Sequence, residues 1–273
     1  MKKVTVFILL LLFWSCSGSK ENIPDPPLFE CDECGDTERM MLMWSAWGFP
    51  GKPGVWDYPI KPGTDEWKQL TSNEEYLNAS QIPEEVLKSL STEDLTYLCL
   101  RNPWIFNLLY YSSVNFGFEK MFSELNCIRE LYSRETEEIV SCLTARYMQI
   151  IQCLCLVEDK DFEGRIIFAQ PMYVLEILLS RIELRENESN EILKEVLRTL
   201  VYGYEEKCKY PDRYGPNNLG CNFYARAYLI SKICEQCLDS LGGIDTLDYN
   251  AHRGHITIEA IDLIHDLSYQ LIN

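Results

Sequence analysis

Two cysteines and two histidines in the last quarter of the sequence are of the residue types that bind zinc. Cys234-x2-Cys237 is followed, after fourteen intervening residues, by His252-x2-His255. Zn²⁺ prefers a tetrahedron of nitrogen and sulfur ligands, and two thiolates three residues apart can occupy two of its corners. The pattern therefore raises the possibility of a structural zinc site.

The other interpretation is that both cysteines are core residues. Apolar residues recur at steps of four and three from Phe223 to Leu241, and both cysteines fall in this series. Such spacing would place them on the buried stripe of one amphipathic helix. His-x2-His is also tighter than the spacing of about three to five residues that is usual at zinc sites. We therefore favour packed side chains without a cofactor, with structural zinc as the alternative.

A second cysteine pair, Cys31 and Cys34, precedes Gly35. This pattern can form a zinc knuckle, a redox pair or a small disulfide loop. A redox pair would need a strand before it and a helix after it, whereas a proline-containing stretch precedes it here. A disulfide, or two free thiols without a function, is therefore favoured over a metal site. The alternative is that these two cysteines join Cys234 and Cys237 in a four-thiolate metal site.

The remaining sequence contains no recognisable catalytic set. The third histidine is His265, and the sequence has no HExxH motif, no phosphate-binding loop and no nucleophile elbow. Pairs of adjacent acids are frequent, but an acidic sequence produces them by chance, and we expect them on the solvated surface. A binding or scaffolding role is therefore favoured, and the alternative is a zinc- or thiol-dependent enzyme that uses Cys234, Cys237, His252 and His255.

The first sixteen residues have the features of an export signal. Lys2 and Lys3 precede an apolar run that is too short to span a membrane, which requires about 20 apolar residues. Ser15 and Cys16 end this run as in a bacterial lipoprotein signal. We predict a signal peptide over 1–15, lipidation of Cys16 and a polar tether over 16–30; the alternative is ordinary secretion with cleavage before Gly18.

The net charge limits the possible partners. The formal charge is −17 at pH 7, so phosphate backbones and anionic lipid headgroups repel the protein. Nucleic-acid binding is therefore not expected, and attachment to a membrane should depend on acyl chains rather than on a basic patch.

Residues 31–80 form a segment rich in proline, glycine and aromatic residues. Its candidate binding residues are Trp44, Trp47, Trp56, Tyr58 and Trp67. Because large aromatic side chains are mostly buried, we expect these rings to pin an irregular segment onto the body of the protein. The alternative is an exposed platform that stacks on sugars or grips a partner.

Residues 81–273 have helical periodicity almost throughout. The clearest stripe runs from Glu191 to Tyr204, with apolar residues at Ile192, Leu193, Val196, Leu197, Leu200, Val201 and Tyr204. We therefore predict an all-α protein, either an irregular helical bundle or a short α-solenoid, preceded by the extended aromatic segment.

Five further segments are distinctive: Trp56 to Trp67 (WDYPIKPGTDEW), Gln81 to Leu87 (QIPEEVL), Leu90 to Leu95 (LSTEDL), Gly117 to Glu119 (GFE) and Ile128 to Leu131 (IREL). In these segments the sequence resembles a group of uncharacterised, lipid-anchored helical lipoproteins of Bacteroidota. The resemblance implies a helical fold, export and anchoring in the cell envelope, with the outer membrane favoured and the face left open. It brings no activity, and an envelope protein or a glycan is the partner to expect.

Two short stretches also resemble the O-glycosylation signal of that phylum. They are Asp239 to Leu241, which would modify Ser240, and Asp245 to Leu247, which would modify Thr246. Thr246 is the better candidate because we predict it in a turn, whereas Ser240 lies at a predicted helix end.

Overall fold

The computed structural model describes residues 51–152, 162–182, 190–209, 216–253 and 255–273. Several predicted features lie outside these ranges and stay predictions: the signal peptide 1–15, the tether 16–30, Cys16, Cys31, Cys34, Trp44 and Trp47.

The described residues form helices joined by turns and loops, with no strand among them, and the all-α prediction is confirmed. They group into two compact units, one up to Ile182 and the other from Asn190 onward. The predicted helical region 81–273 is thus distributed over both units. No helix within the described ranges is both long enough and apolar enough to cross a membrane.

In the first unit, the described elements are α1 (Asp65–Gln69), α2 (Asn73–Ala79), α3 (Glu84–Ser89), α4 (Thr92–Leu100), the 3-10 helix η1 (Ile105–Tyr110), α5 (Val114–Glu124), α6 (Asn126–Ser133), α7 (Thr136–Gln152) and α8 (Phe162–Ser180).

Helix α4 lies at the centre of this unit. Every residue from Leu95 to Leu100 is buried, and the helix packs against α6, α7 and α8. A short helix that is buried around almost its whole circumference belongs in a core rather than on a surface. Ser91 caps its start, since the Ser91 hydroxyl accepts a hydrogen bond from the Asp94 amide at 3.1 Å.

The second half of the aromatic segment contains two short helices that the sequence analysis left irregular. The Thr64 hydroxyl caps α1, and Ser72 and Glu75 form a capping box at the start of α2. The prolines and glycines that exclude regular structure end at Gly63, so both caps act beyond them.

The second unit is also helical. Its described elements are α9 (Asn190–Cys208), α10 (Pro216–Ile233), the 3-10 helix η2 (Glu235–Leu241), α11 (Gly243–Arg253) and α12 (Ile258–Ile272). Helix α9 packs against α10 and α12, and α10 packs against α11 and η2. The predicted stripe of α9 is buried from Leu193 to Tyr204, with Ile192 half-buried at its edge.

The prediction that one amphipathic helix carries the apolar series from Phe223 to Leu241 is wrong. Helix α10 ends at Ile233, and Cys234 adopts a non-helical conformation with φ −145° and ψ 90° before η2 begins. Gly242, with φ +81°, then ends η2 in the left-handed region that glycine tolerates best. Helix α11 follows in place of the expected polar turn, with Leu247 and Asp248 as buried residues.

Candidate functional site

Cys234 and Cys237 form a disulfide bond across the start of η2, with their Cα atoms 5.5 Å apart. This corrects the interpretation of both residues as packed thiols on one helix. In this state the pair offers no thiolate, so the zinc site that the sequence pattern raised as the alternative would require the disulfide to be reduced. The disulfide depends on the end of α10, since the change from α-helix to 3-10 helix at Cys234 brings the pair together.

The two predicted histidine ligands lie on and beyond α11. His255 is exposed, and its backbone amide donates to the Asn250 carbonyl at 2.9 Å. His252 belongs to α11, and its side chain lies outside the described part of the protein. Within the described ranges, no three residues among His, Cys, Asp and Glu are grouped closely enough to hold a metal ion.

The other described cysteines differ in state. Cys208 is disulfide-bonded. Cys99 and Cys127 are free and fully buried, and the Asn102 side-chain amide donates to the Cys127 sulfur at 3.5 Å. Burial, and to a lesser extent the nearby Cys127, raises the pKa of the Cys99 thiol well above its usual value. Because the thiolate is the reactive form, this shift suppresses the reactivity of Cys99.

The two candidate glycosylation residues are exposed. Ser240 lies in η2, and Thr246 lies in the first turn of α11 rather than in the predicted turn. The Thr246 hydroxyl donates to the Gly242 carbonyl at 2.8 Å, so it helps to hold the junction between the two helices.

The described candidate binding residues of the aromatic segment pack onto the first unit. Tyr58 is 1% exposed, so it cannot contact a ligand, and its hydroxyl donates to the Leu98 carbonyl at 3.2 Å. Trp56 packs edge-on against Tyr58, with ring centroids 4.9 Å apart. Trp67 packs 4.8 Å from the ring of Tyr76 and stays half-buried.

A buried ion pair fastens the same segment to the end of α4. The Arg101 side chain has no exposed surface, and its Nε and Nη2 donate to the two Asp57 oxygens at 2.6 and 2.9 Å. The Lys61 ammonium group contacts the same carboxylate. Burial opposes ionisation of Asp57, but the hydrogen bonds and charges of Arg101 and Lys61 hold its pKa below the usual range.

Three aromatic side chains at the end of η1 and the start of α5 form what we call the aromatic surface: Tyr110, Tyr111 and Phe116. Tyr110 is 82% exposed and Phe116 is 47% exposed. Tyr111 and Phe116 meet edge to face, with centroids 5.5 Å apart. Tyr110 directly precedes Tyr111 in the sequence, and exposed apolar side chains that lie near one another mark binding sites.

The backbone beneath the aromatic surface is firmly held. The Asn102 side-chain oxygen accepts from the Trp104 amide at 2.9 Å, and Ile105, the first residue of η1, is fully buried. The Ser113 hydroxyl accepts from the Phe116 amide at 3.1 Å and so caps α5. Sequence patterns do not single out this site, because an aromatic run is expected to be buried. The available signal is the absence of charged residues over 102–118.

The second unit contains a cluster of titratable side chains around Arg226. This arginine is fully buried, and its Nε donates to the Asn222 side-chain oxygen at 2.9 Å. Its guanidinium carbon lies 4.2 Å from the centre of the Tyr204 ring, and its Nη1 lies 3.5 Å from His265 Nδ1. A guanidinium only donates hydrogen bonds, so His265 Nδ1 accepts and Nε2 carries the proton.

The environment of this cluster opposes acid–base chemistry near neutral pH. Burial, followed by the charge of Arg226, lowers the pKa of His265 to about 4. Burial and the neighbouring Glu205 raise the pKa of Tyr269, whose hydroxyl donates to the Glu205 carboxylate. A general acid or base works best with a pKa near the working pH, and both shifts move away from it.

The sequence matches no protein-family model, no curated protein and no solved structure.

The disulfide predicts how the cysteines react with an alkylating reagent. In denaturant without reductant, Cys99, Cys127 and Cys142 should be labelled, because all three are free thiols. Cys234 and Cys237 should be labelled only after reduction, which peptide mass spectrometry will detect. Labelling of this pair by denaturant and a chelator alone, with release of zinc, would contradict the assignment.

His265 predicts a pH-dependent stability of the second unit. Its pKa of about 4 in the folded protein lies below the ordinary histidine value of 6.5, so the unfolded state binds more protons between these two pH values. The contribution of neutral His265 to the free energy of unfolding is therefore fully present above about pH 6.5 and is lost as the pH falls towards 4. Between about pH 7.5 and 5, the free energy of unfolding should fall by about 1–2 kcal/mol more in the wild type than in His265→Gln.

The comparison of the two proteins is needed because other groups near α12 also titrate. Asp262 has a raised pKa owing to burial and then to Asp266 and Glu259, and Glu205 lies beside Tyr269. These acids are present in both the wild type and His265→Gln. The difference between the two proteins in urea unfolding at the two pH values therefore gives the contribution of His265 alone. Equal pH dependence in the wild type and the variant would exclude the assigned role.

Proposed function

We propose that the protein is a lipid-anchored component of the cell envelope that binds or scaffolds another molecule and catalyses no reaction itself. Cys16 carries the anchor in this proposal, and the aromatic surface carries the binding. The outer membrane is the favoured location, with either face possible.

The exposure of the aromatic surface is the observation that carries the proposal. The aromatic rings of Tyr58, Tyr97, Tyr147 and Phe118 are buried in the first unit, whereas Tyr110 and Phe116 extend into solvent from a fixed backbone. Exposing rings to water has a free-energy cost that a binding role explains. Rings with few rotatable bonds also lose little conformational entropy when a partner covers them.

The polar residues of the described units support the non-catalytic part of the proposal. Asp57 and Arg101 bind each other inside the first unit, and Arg226 and His265 do so in the second. Each set thus serves internal packing. The alternative of a thiol-dependent enzyme would require the Cys234–Cys237 disulfide to open, and a zinc enzyme would require both thiolates.

The experiment compares three full-length proteins expressed in a bacterium that processes lipoproteins: the wild type, the Tyr110→Ala/Phe116→Ala double variant and Tyr249→Ala. Tyr249 is the matched control, since it is 52% exposed but lies in the second unit. After cross-linking of intact envelopes, the double variant should recover less than a fifth of the molecules bound by the wild type. Tyr249→Ala should recover the wild-type amount.

The anchor is tested in the same host. Cys16→Ser should abolish incorporation of labelled palmitate and move the protein from the membrane fraction to the soluble fraction, because a lipid on that cysteine supplies the attachment. Palmitate labelling that survives the substitution, or equal recovery by the double variant and the wild type, would refute the corresponding half of the proposal.

A further inference from the structure

We infer that the aromatic surface binds a neutral oligosaccharide. This inference rests on the proposed function, because it names the ligand class of the same surface. It places sugar recognition on Tyr110, Tyr111 and Phe116 rather than on the tryptophans of the aromatic segment.

The exposed rings of this surface suit stacking against a sugar ring. One face of a pyranose carries C–H groups and is apolar, so it stacks on an aromatic ring, while its hydroxyls point outward around the edge. Tyr110 offers the most exposed ring of the described residues, at 82%, and Phe116 adds a second at 47%. The edge contact between Tyr111 and Phe116 fixes the second ring, so that little freedom is lost on binding.

The charge of the surface selects a neutral ligand. Residues 102–118 contain no Asp, Glu, Lys or Arg, and this is the longest uncharged stretch of a sequence in which a quarter of the residues are charged. The charged side chains that follow it on α5 are Glu119, which is exposed, and then Lys120 and Glu124, which pair at 3.5 Å. Burial, followed by the charge of Glu124, raises the pKa of Tyr111, so this hydroxyl stays protonated. An anionic glycan would gain no cationic partner here and would meet a protein of net charge −17.

The polar side chains beside the rings are amides and hydroxyls. Asn107 and Tyr110 lie three residues apart on η1, and a 3-10 helix with three residues per turn places them on the same side. Ser112 is exposed directly after the two tyrosines, and Asn115 precedes Phe116 on α5. Amides and hydroxyls both donate and accept hydrogen bonds, which matches the hydroxyl groups of a neutral sugar.

Other ligands fit this surface less well. A stable protein interface buries about 800 Å² on each partner, and three partly exposed rings of roughly 150–250 Å² each provide less than that. A lipid surface is usually bound by an apolar helix face flanked by lysine and arginine, and Lys120 is the first such residue after Arg101.

The test is native affinity electrophoresis of the full mature protein in gels containing one polysaccharide each. The neutral probes are dextran, galactomannan, xylan and laminarin, and polygalacturonate is the anionic probe. At least one neutral probe should retard the wild type, polygalacturonate should not, and the retardation should persist in about 0.5 M NaCl because no charge pair contributes. The dissociation constant should rise at least tenfold in Tyr110→Ala/Phe116→Ala and stay unchanged in Tyr249→Ala.

The double variant must be shown to be folded before a loss of binding is interpreted. Circular dichroism and the melting temperature check that the double variant is folded, which its exposed positions lead us to expect. Failure of all neutral probes to retard the wild type, or retardation that the double variant retains, overturns the inference. If the double variant nevertheless loses its envelope partner in the cross-linking experiment, that partner is a protein or a second copy of this chain, and the proposed function survives. If it loses neither, both proposals fail.

Discussion

The ion pair between Asp57 and Arg101 is the interaction on which the first unit depends. Arg101 is fully buried at the end of the central helix α4, and a buried guanidinium is tolerated only where anions and acceptors surround it. Asp57 supplies both carboxylate oxygens from the part of the aromatic segment that precedes α1, where the described residues form no helix or strand. One contact thus neutralises the buried charge and fixes the position of the segment over α4. The neighbouring residues strengthen the same attachment, because Tyr58 bonds to the Leu98 carbonyl and Asn102 donates to both the Tyr58 hydroxyl and the Ser80 carbonyl.

This attachment also positions the aromatic surface. Asn102 follows Arg101 directly, and its side-chain oxygen accepts from the Trp104 amide at the start of the turn that leads into η1. The chain therefore leaves the core at a fixed point and carries Tyr110 outward at the end of η1. A rigid support of this kind loses little entropy on binding, which suits a surface made of only a few rings. The charged clusters and the binding residues are thus separate. The charged clusters lie inside the units, and the uncharged stretch 102–118 supplies the exposed rings.

The sequence predicted the features that local periodicity determines. The stripe of α9 is buried as expected, because residues three and four apart share one helix face whatever the rest of the fold does. The end of α10 escaped prediction because the apolar periodicity continues through Cys234, whereas the helix ends at Ile233 and Cys234 is already non-helical. The pairing of Asp57 with Arg101 joins residues 44 positions apart, which no local pattern contains. The exposure of Tyr110 could not be predicted from its type, since aromatic residues are buried on average.

The most direct test of this account is the stability of the Asp57→Asn variant, measured by urea unfolding and compared with Lys88→Gln, which removes the exposed Lys88–Glu84 pair. Removing one partner of a fully buried pair costs about 3–5 kcal/mol, and Asp57 keeps 23% of its side-chain surface exposed. Because solvent screens this exposed part of the pair, Asp57→Asn should lower the free energy of unfolding by about 2–3 kcal/mol rather than by the full cost. Lys88→Gln should unfold at a urea midpoint close to that of the wild type. Equal midpoints in all three proteins would contradict the claim that this ion pair holds the unit together.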